Sequence, residues 1–238
     1  MRAITLDLWG TILHQQDPQE KIEKRRGILL GALAAAGYPM ELENMRAGFR
    51  GARRIIDDEI ARTGRDIGPA GRWDVLMEQL GVAPGHLPFE TVEHAYVDLT
   101  LEFLPPLMEG FRPAMDALSE RYRIGLICNT GYTGGAVLRE VLEQHDLTSR
   151  FEILSFSNEV GWLKPHPRIF EDTLAALGCE PGEVLHIGDT EEADVAGARA
   201  FGLRAVRYAP HAAPGEVVSQ ADAVMHHWDD LEAHLAVL

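Results

Sequence analysis

Short apolar runs alternate with helical patterns at the very start of the chain and again from about Phe111 onward, and nowhere between. The runs AITLDLW, RIGLICN, FEILSFS, EVLHIGD and RAVRYA, with a weaker ADAVMH, read as strands. Strands separated by helices cannot close tight hairpins. They pair in parallel and carry helices on both faces of the sheet. Between Gln15 and about Leu104 the strand signal vanishes and helical segments replace it, among them PQEKIEKRRGILLGALAAAG, MELENMRAGFRGARRIIDDEIART and FETVEHAYVDLTLEFL. The two prolines of LPPLMEG stop a helix and return the chain to the sheet. The expectation is an α/β protein: a three-layer, Rossmann-like parallel-sheet core of residues 1–14 and 105–238, with an inserted α-helical cap over 15–104.

At 238 residues and 46% hydrophobic content the chain can fill one packed core and a small second lobe. The net charge of −15 repels polyanions and acidic membrane surfaces, so neither nucleic acid nor membrane is an expected partner. Cys128 and Cys179 lie far apart and form no C-x-x-C pair, which indicates neither a disulfide framework nor a thiolate zinc site and fits a reducing cytosol. GILLGALAAAGY is too short to span a bilayer, and the N-terminus shows no basic segment followed by a long apolar one. A soluble, cytoplasmic protein is expected, its oligomeric state open.

In an open parallel sheet, chemistry gathers beyond the carboxyl ends of the strands. The first apolar run closes on Asp7, the second on Cys128, Asn129 and Thr130, and the fourth on Asp189 with Asp194 soon after; Lys164 stands just before a helix in GWLKPHPRIF. Acids brought together repel one another, and burial raises their pKa values, unless a cation holds them ionised. A hard, oxygen-seeking ion such as Mg²⁺ answers that need, accepting one or two carboxylates, waters and a substrate phosphate.

In this order the residues resemble the haloacid dehalogenase superfamily of aspartate-nucleophile hydrolases. The family's D-x-D-x-T pattern is met at Asp7, Gly10 and Thr11 but not at Trp9. Its second motif, a strand ending in Ser or Thr often followed by Asn, falls on Cys128 and Asn129, with Thr130 as an alternative hydroxyl. Lys164 takes the place of the third motif, and Gly188, Asp189 and Asp194 meet the acidic fourth. The resemblance implies a helical cap between the first two motifs and Mg²⁺ held by Asp7, Asp189 and Asp194. Trp9 contributes its backbone carbonyl, which does not depend on the side chain.

It further implies attack by Asp7 on the phosphorus of a small phosphorylated substrate. In such phosphatases the second acid protonates the leaving alcohol, and Trp9 cannot do so. Three readings follow. The first is a Mg²⁺-dependent phosphatase whose proton comes from His14 or a cap carboxylate, or whose leaving group needs none. The second is a metal-free dehalogenase, in which halide departs unprotonated and an aromatic residue stands at this position. The third is a non-catalytic binding fold. The intact pair Asp189 and Asp194 favours the phosphatase, because a halide site gains little from added negative charge.

Plainer roles exist for several of these residues. Asp194 also suits the first-turn amides of a helix through EADVAGARAFG, Cys128 a small core position, Lys164 the surface, and Trp9 packing. Arg50, Arg53 and Arg54 read as a solvated helix face, with one arginine in reach of a substrate anion as the alternative, and His226 and His227 as surface or capping residues. A buried, unpaired carboxylate costs several kcal/mol, so Asp7 and Asp189 resist any purely structural reading.

Overall fold

The computed structural model describes residues 1–213 and 215–236. Strand β1 (Ala3–Leu6) is followed by the helical block α1 (Gln19–Ala35), α2 (Leu42–Thr63), α3 (Gly68–Gln79) and α4 (His94–Glu102). The chain returns through α5 (Phe111–Ser119) and β2 (Arg123–Cys128), then α6 (Gly135–Gln144), β3 (Ile153–Phe156), α7 (Ser157–Val160) and α8 (Pro167–Leu177). Next come β4 (Val184–Gly188) and a π-helical turn, Glu191–Ala196, leading into α9 (Gly197–Phe201). Strands β5 (Arg204–Tyr208) and β6 (Ala223–Met225) and helix α10 (Leu231–Leu235) complete the description. Each apolar run read as a strand contributes one. The FETVEHAYVDLTLEFL segment divides into a 3-10 turn, Phe89–Thr91, and α4.

The six strands lie in the order β3-β2-β1-β4-β5-β6, and every pair is parallel. Leu6 sits opposite both Leu126 and Ile187, so β1 runs through the centre. The chain works outward from β1 to β3 and then crosses to β4 on the other side. The carboxyl ends of β1 and β4 therefore flank the point where the winding reverses, the crevice in which open sheets of this kind bind ligands.

Side chains alternate across the sheet with period two. Ile4, Leu6, Leu126 and Ile187 pack with Phe111, Met115 and Leu138 of α5 and α6, while Ala3, Ile127 and Val184 pack with Ile169, Phe170 and Leu174 of α8. This makes three layers, and it places Thr5, Asp7 and His186 on the α8 side. A separate apolar cluster inside the helical block includes Leu29, Leu33, Met45, Trp73, Leu76 and Tyr96. Outgoing and returning segments run side by side: His14 N donates to the Pro106 carbonyl at 2.9 Å and Met108 N to the Ile12 carbonyl at 2.8 Å. A second seam joins the end of α2 to the loop before α8, where Leu163 N donates to the Gly64 carbonyl at 3.0 Å and Asp66 N to the Gly161 carbonyl at 3.2 Å. Gly64 has φ 69°, and a Cβ there would meet the His166 ring, so glycine is needed on both counts. No helix among the described residues is long and apolar enough to cross a membrane.

Candidate active site

Asp7 follows the last residue of β1, its amide donating to the Ile187 carbonyl at 2.9 Å, so the strand itself aims the carboxylate into the crevice. The next turn is tight. Gly10 has φ 75°, and a Cβ there would collide with the carboxylate of Asp189, so the glycine lets the loop after β1 close against that acid.

Lys164 is 3% exposed, and its ammonium lies between two acids, 2.6 Å from Asp7 Oδ1 and 2.7 Å from Asp194 Oδ1. Asn129 holds the lysine's backbone: Asn129 Nδ2 donates to the Lys164 carbonyl at 2.9 Å, and the Lys164 amide donates to Asn129 Oδ1 at 2.7 Å. A cis bond to Pro165 follows, and α8 starts at Pro167 with the His166 ring accepting from Arg168 N.

Asp194 sits in the π-helical turn and accepts three bonds: from Lys164, from Thr190 N at 2.9 Å to Oδ2, and from His186 Nε2 at 3.1 Å to Oδ1. A carboxylate can only accept, so Nε2 carries the proton. Burial lowers the pKa of His186 and keeps the ring neutral, so Nδ1 is the acceptor for the Thr5 hydroxyl at 2.9 Å. A buried chain thus runs Thr5, His186, Asp194, Lys164, Asp7. The sequence reading missed Thr5 and His186. A polar residue inside the apolar run EVLHIGD is the same kind of signal that marked Asp7.

The two acids beside Lys164 are driven apart. Burial raises Asp7 to about 7, with Asp194 and Asp189 adding to the rise and Lys164 opposing it. Burial would also raise Asp194, but the Lys164 charge and the His186 hydrogen bond outweigh it and hold this carboxyl well below the usual range. Asp189 is raised by burial and by the charge of Asp194. One ammonium serves three acids. Asp7, Asp189 and Asp194 each offer an oxygen, and these atoms lie within 4.8 Å of one another. Opposite ligands of an octahedral ion with bonds of about 2.1 Å stand about 4.2 Å apart, so a modest contraction accommodates Mg²⁺. The Trp9 carbonyl accepts no hydrogen bond among the described residues and is free to contribute.

The remaining sequence candidates separate. Cys128 is fully buried, its Sγ set against the neighbouring Asn129 carbonyl, and burial followed by the charge of Asp7 pushes the thiol up, so it is an inert core group. Thr130 directs its hydroxyl to Asp66 Oδ2 at 3.1 Å, sharing that acceptor with Ser157 Oγ at 2.5 Å. Asp66 comes from the α2–α3 connection, with a fully buried side chain and Arg72 at 3.1 Å. Nothing local in RTGRDIG marks it. His14 and Asp189 line a separate cavity of 620 Å³ on the Gly10 side. Trp9, Asn129 and Thr130 border a cavity of 330 Å³ whose cap-side wall includes Asp17, Lys21, Arg25 and Tyr96. His226 bonds the Ala209 carbonyl, and the His227 amide bonds Asp230. Arg50 and Arg53 are exposed in ion pairs with Glu43 and Asp57.

A family model for haloacid dehalogenase-like hydrolases matches residues 1–202, and the chain belongs to that family. The pyrimidine 5'-nucleotidase YjjG of Escherichia coli is 34% identical over 135 residues, a match spanning 56% of this chain and 56% of that protein. A glyceraldehyde 3-phosphate phosphatase of Methanopyrus kandleri is 23% identical over 210 residues, 87% of this chain and 83% of the relative. Among solved structures, a 2-haloacid dehalogenase from Pseudomonas syringae pv. Tomato superposes with TM-score 0.74 at 20% identity, covering 100% of this chain and 99% of the other, a likeness of fold.

Proposed function

From membership of this hydrolase family, we propose that the protein is a Mg²⁺-dependent phosphatase acting on a small phosphorylated metabolite through an aspartyl-phosphate on Asp7. The observation that carries the reading is the cluster of Asp7, Asp189 and Asp194, whose oxygens converge within 4.8 Å beside a single lysine. Three acids around one ammonium leave negative charge that a divalent ion offsets. Asp7, Asp189, Asp194 and the Trp9 carbonyl are the groups that would hold it. When bound, Mg²⁺ supplies positive charge against the phosphoryl oxygens.

Asp7 Oδ1 is engaged by Lys164, whereas Oδ2 has only the Thr11 hydroxyl at 3.3 Å, so Oδ2 has a lone pair for attack. Its bond to phosphorus forms as the bond from phosphorus to the ester oxygen breaks, and that oxygen leaves with the electron pair. Water then attacks phosphorus, loses a proton to solvent, and releases inorganic phosphate with Asp7 restored. Lys164 keeps Asp7 oriented and offsets charge on the transferring group. Trp9 donates no proton, so the leaving oxygen must carry its own charge.

A second reading, a haloacid dehalogenase, draws on Lys164. Its ammonium bridges Asp7 and Asp194 and offsets their charge, and halide leaves with no need of an acid at Trp9. The experiment is a panel of phosphate esters, acyl phosphates and haloacids assayed with and without Mg²⁺, together with thermal melts. A ligand at a hundredfold excess over Kd adds about 2.7 kcal/mol of stability, so millimolar Mg²⁺ should raise the melting temperature of the native protein and leave Asp189→Ala unchanged. Asp7→Asn should abolish turnover without loss of fold. Haloacid turnover independent of Mg²⁺, with no melting shift, would establish the second reading.

A further inference from the structure

The 330 Å³ cavity bordered by Trp9, Asn129 and Thr130 has a neighbour on its cap side. Arg25, Tyr96 and Tyr132 line both it and a second cavity of 460 Å³ within the cap, which makes the two neighbours with a shared wall. Aromatic rings furnish much of that wall: Tyr96 and Tyr132 stack with centroids 5.1 Å apart, and Phe49 meets Tyr132 edge-on at 6.0 Å. Flat apolar bodies pack well against such surfaces.

Two polar groups lining the second cavity lack partners among the described residues. Tyr96 is 4% exposed, yet its hydroxyl is buried without a hydrogen bond. Leaving a buried hydroxyl unpaired is costly, and native structures seldom do so without a reason. Burial drives the phenol pKa upward, so the group is a neutral donor. Arg26, half-buried on the second cavity, has no ion-pair partner among the described residues, whereas Arg25 is occupied by Asp17 at 2.9 Å, and Arg46 and Arg50 share Glu43.

We propose that this second cavity takes the non-reacting part of the substrate, an aromatic body that carries a carboxylate to Arg26 and offers an acceptor atom to the Tyr96 hydroxyl. The proposal rests on the phosphatase reading for the reacting end and narrows the substrate class to phosphate esters of aryl or arylalkyl acids. Arginine binds carboxylate through paired, charge-assisted hydrogen bonds, and a site built for such a group rejects the analogue that lacks it.

The test compares phenyl phosphate with para-phosphooxybenzoate and its phenylacetate and phenylpropanoate homologues in the presence of Mg²⁺. At least one carboxylated ester should exceed phenyl phosphate about tenfold or more in kcat/KM, and Arg26→Gln should bring that ratio towards unity. Tyr96→Phe should raise KM for the preferred ester while leaving the melting temperature unchanged or higher, since the hydroxyl has no partner within the protein to lose. Calorimetry with the corresponding phosphate-free hydroxy acid separates the two ideas. Binding to the native protein but not to Arg26→Gln, with no ester hydrolysed, upholds the cavity and removes the phosphatase reading. Equal kcat/KM for neutral and carboxylated esters, with no binding of the hydroxy acid, overturns the cavity proposal and leaves the phosphatase standing. A clear drop in melting temperature for Tyr96→Phe would overturn the Tyr96 contact, because it would reveal a structural partner for the hydroxyl.

Discussion

Asn129 and Lys164 clasp each other through a reciprocal pair of bonds, side-chain amide to backbone carbonyl at 2.9 Å and backbone amide to side-chain oxygen at 2.7 Å. The clasp ties the end of β2 to the loop before α8 and so positions the ammonium between Asp7 and Asp194. Asn129→Ala leaves a backbone donor and an acceptor of Lys164 without partners in a part-buried place. Stability should fall by about 1–3 kcal/mol, read as a lower urea midpoint at unchanged slope. Turnover should fall by about tenfold to a hundredfold through misplacement of Lys164. Unchanged turnover in a destabilised variant would mean that Lys164 needs no such support.

The Thr5–His186–Asp194 chain offers a sharper test, because its members lose differently alone and together. His186→Leu strands the Thr5 hydroxyl and removes one donor from Asp194, at an expected cost of about 1–3 kcal/mol. Adding Thr5→Val removes the stranded hydroxyl, so the double variant should be less destabilised than the sum of the two single changes, by about 0.5 kcal/mol or more. Chemical denaturation of the four proteins checks this, and strict additivity would show that the hydroxyl is not bonded to the ring.

Asp17 makes a pH-dependent contribution from the cap. Burial tends to raise its carboxyl, but Lys21 at 2.8 Å and Arg25 at 2.9 Å outweigh that and hold it below its ordinary value of 3.8. Its folded pKa is thus the lower one, and in that range the unfolded chain binds protons more tightly. The contribution is present above about 3.8 and is lost as pH falls through the folded value. Asp17→Asn should flatten this acid limb of the stability profile. At neutral pH it should cost about 1–2 kcal/mol, because Lys21, 2% exposed, is left without its carboxylate while the partly exposed position of Asp17 limits the loss. An acid limb identical in the two proteins would count against the pairing.

The parts of the site that were legible in the sequence lie where a strand ends. Asp7, Asp189 and the segment from Cys128 to Thr130 each interrupt an apolar run, and a period of two fixes the face on which they stand. Lys164 and Asp194 stood out through their order along the chain. Asp66 and Tyr96 were not legible, because their environment comes from elements distant in sequence: Asp66 meets Thr130 and Ser157 across the cap–core seam, and Tyr96 meets Tyr132 of the loop after β2. Lys21 was hidden for a related reason. Within QEKIEKRR it looks like a solvated helix face, yet it packs inward against Asp17.

Trp9 governs the last prediction. It borders the 330 Å³ cavity with Lys21, Arg25 and Asn129. The sequence suggests His14 or a cap carboxylate as the proton source in its place. His14 lines the cavity on the Asp189 side, and Asp17, held below its ordinary value by two cations, stays ionised near neutral pH. The first step should therefore depend steeply on leaving-group pKa, with acyl phosphates and p-nitrophenyl phosphate hydrolysed far faster than alkyl phosphates. Dephosphorylation lacks a general base as well, so the aspartyl-phosphate should accumulate and give a burst before a slow steady state. Trp9→Asp should accelerate alkyl phosphates most, by up to about 10²–10⁴-fold if the new carboxylate reaches the leaving oxygen. Losing the half-buried indole should cost about 1–3 kcal/mol of stability, less than for a fully enclosed tryptophan. A series of aryl and alkyl phosphates on the native and Trp9→Asp proteins, with Mg²⁺ present, measures both slopes. A shallow slope in the native enzyme would show that a cavity group such as the Lys21 ammonium already delivers the proton, and the substitution would then bring no preferential gain for alkyl esters.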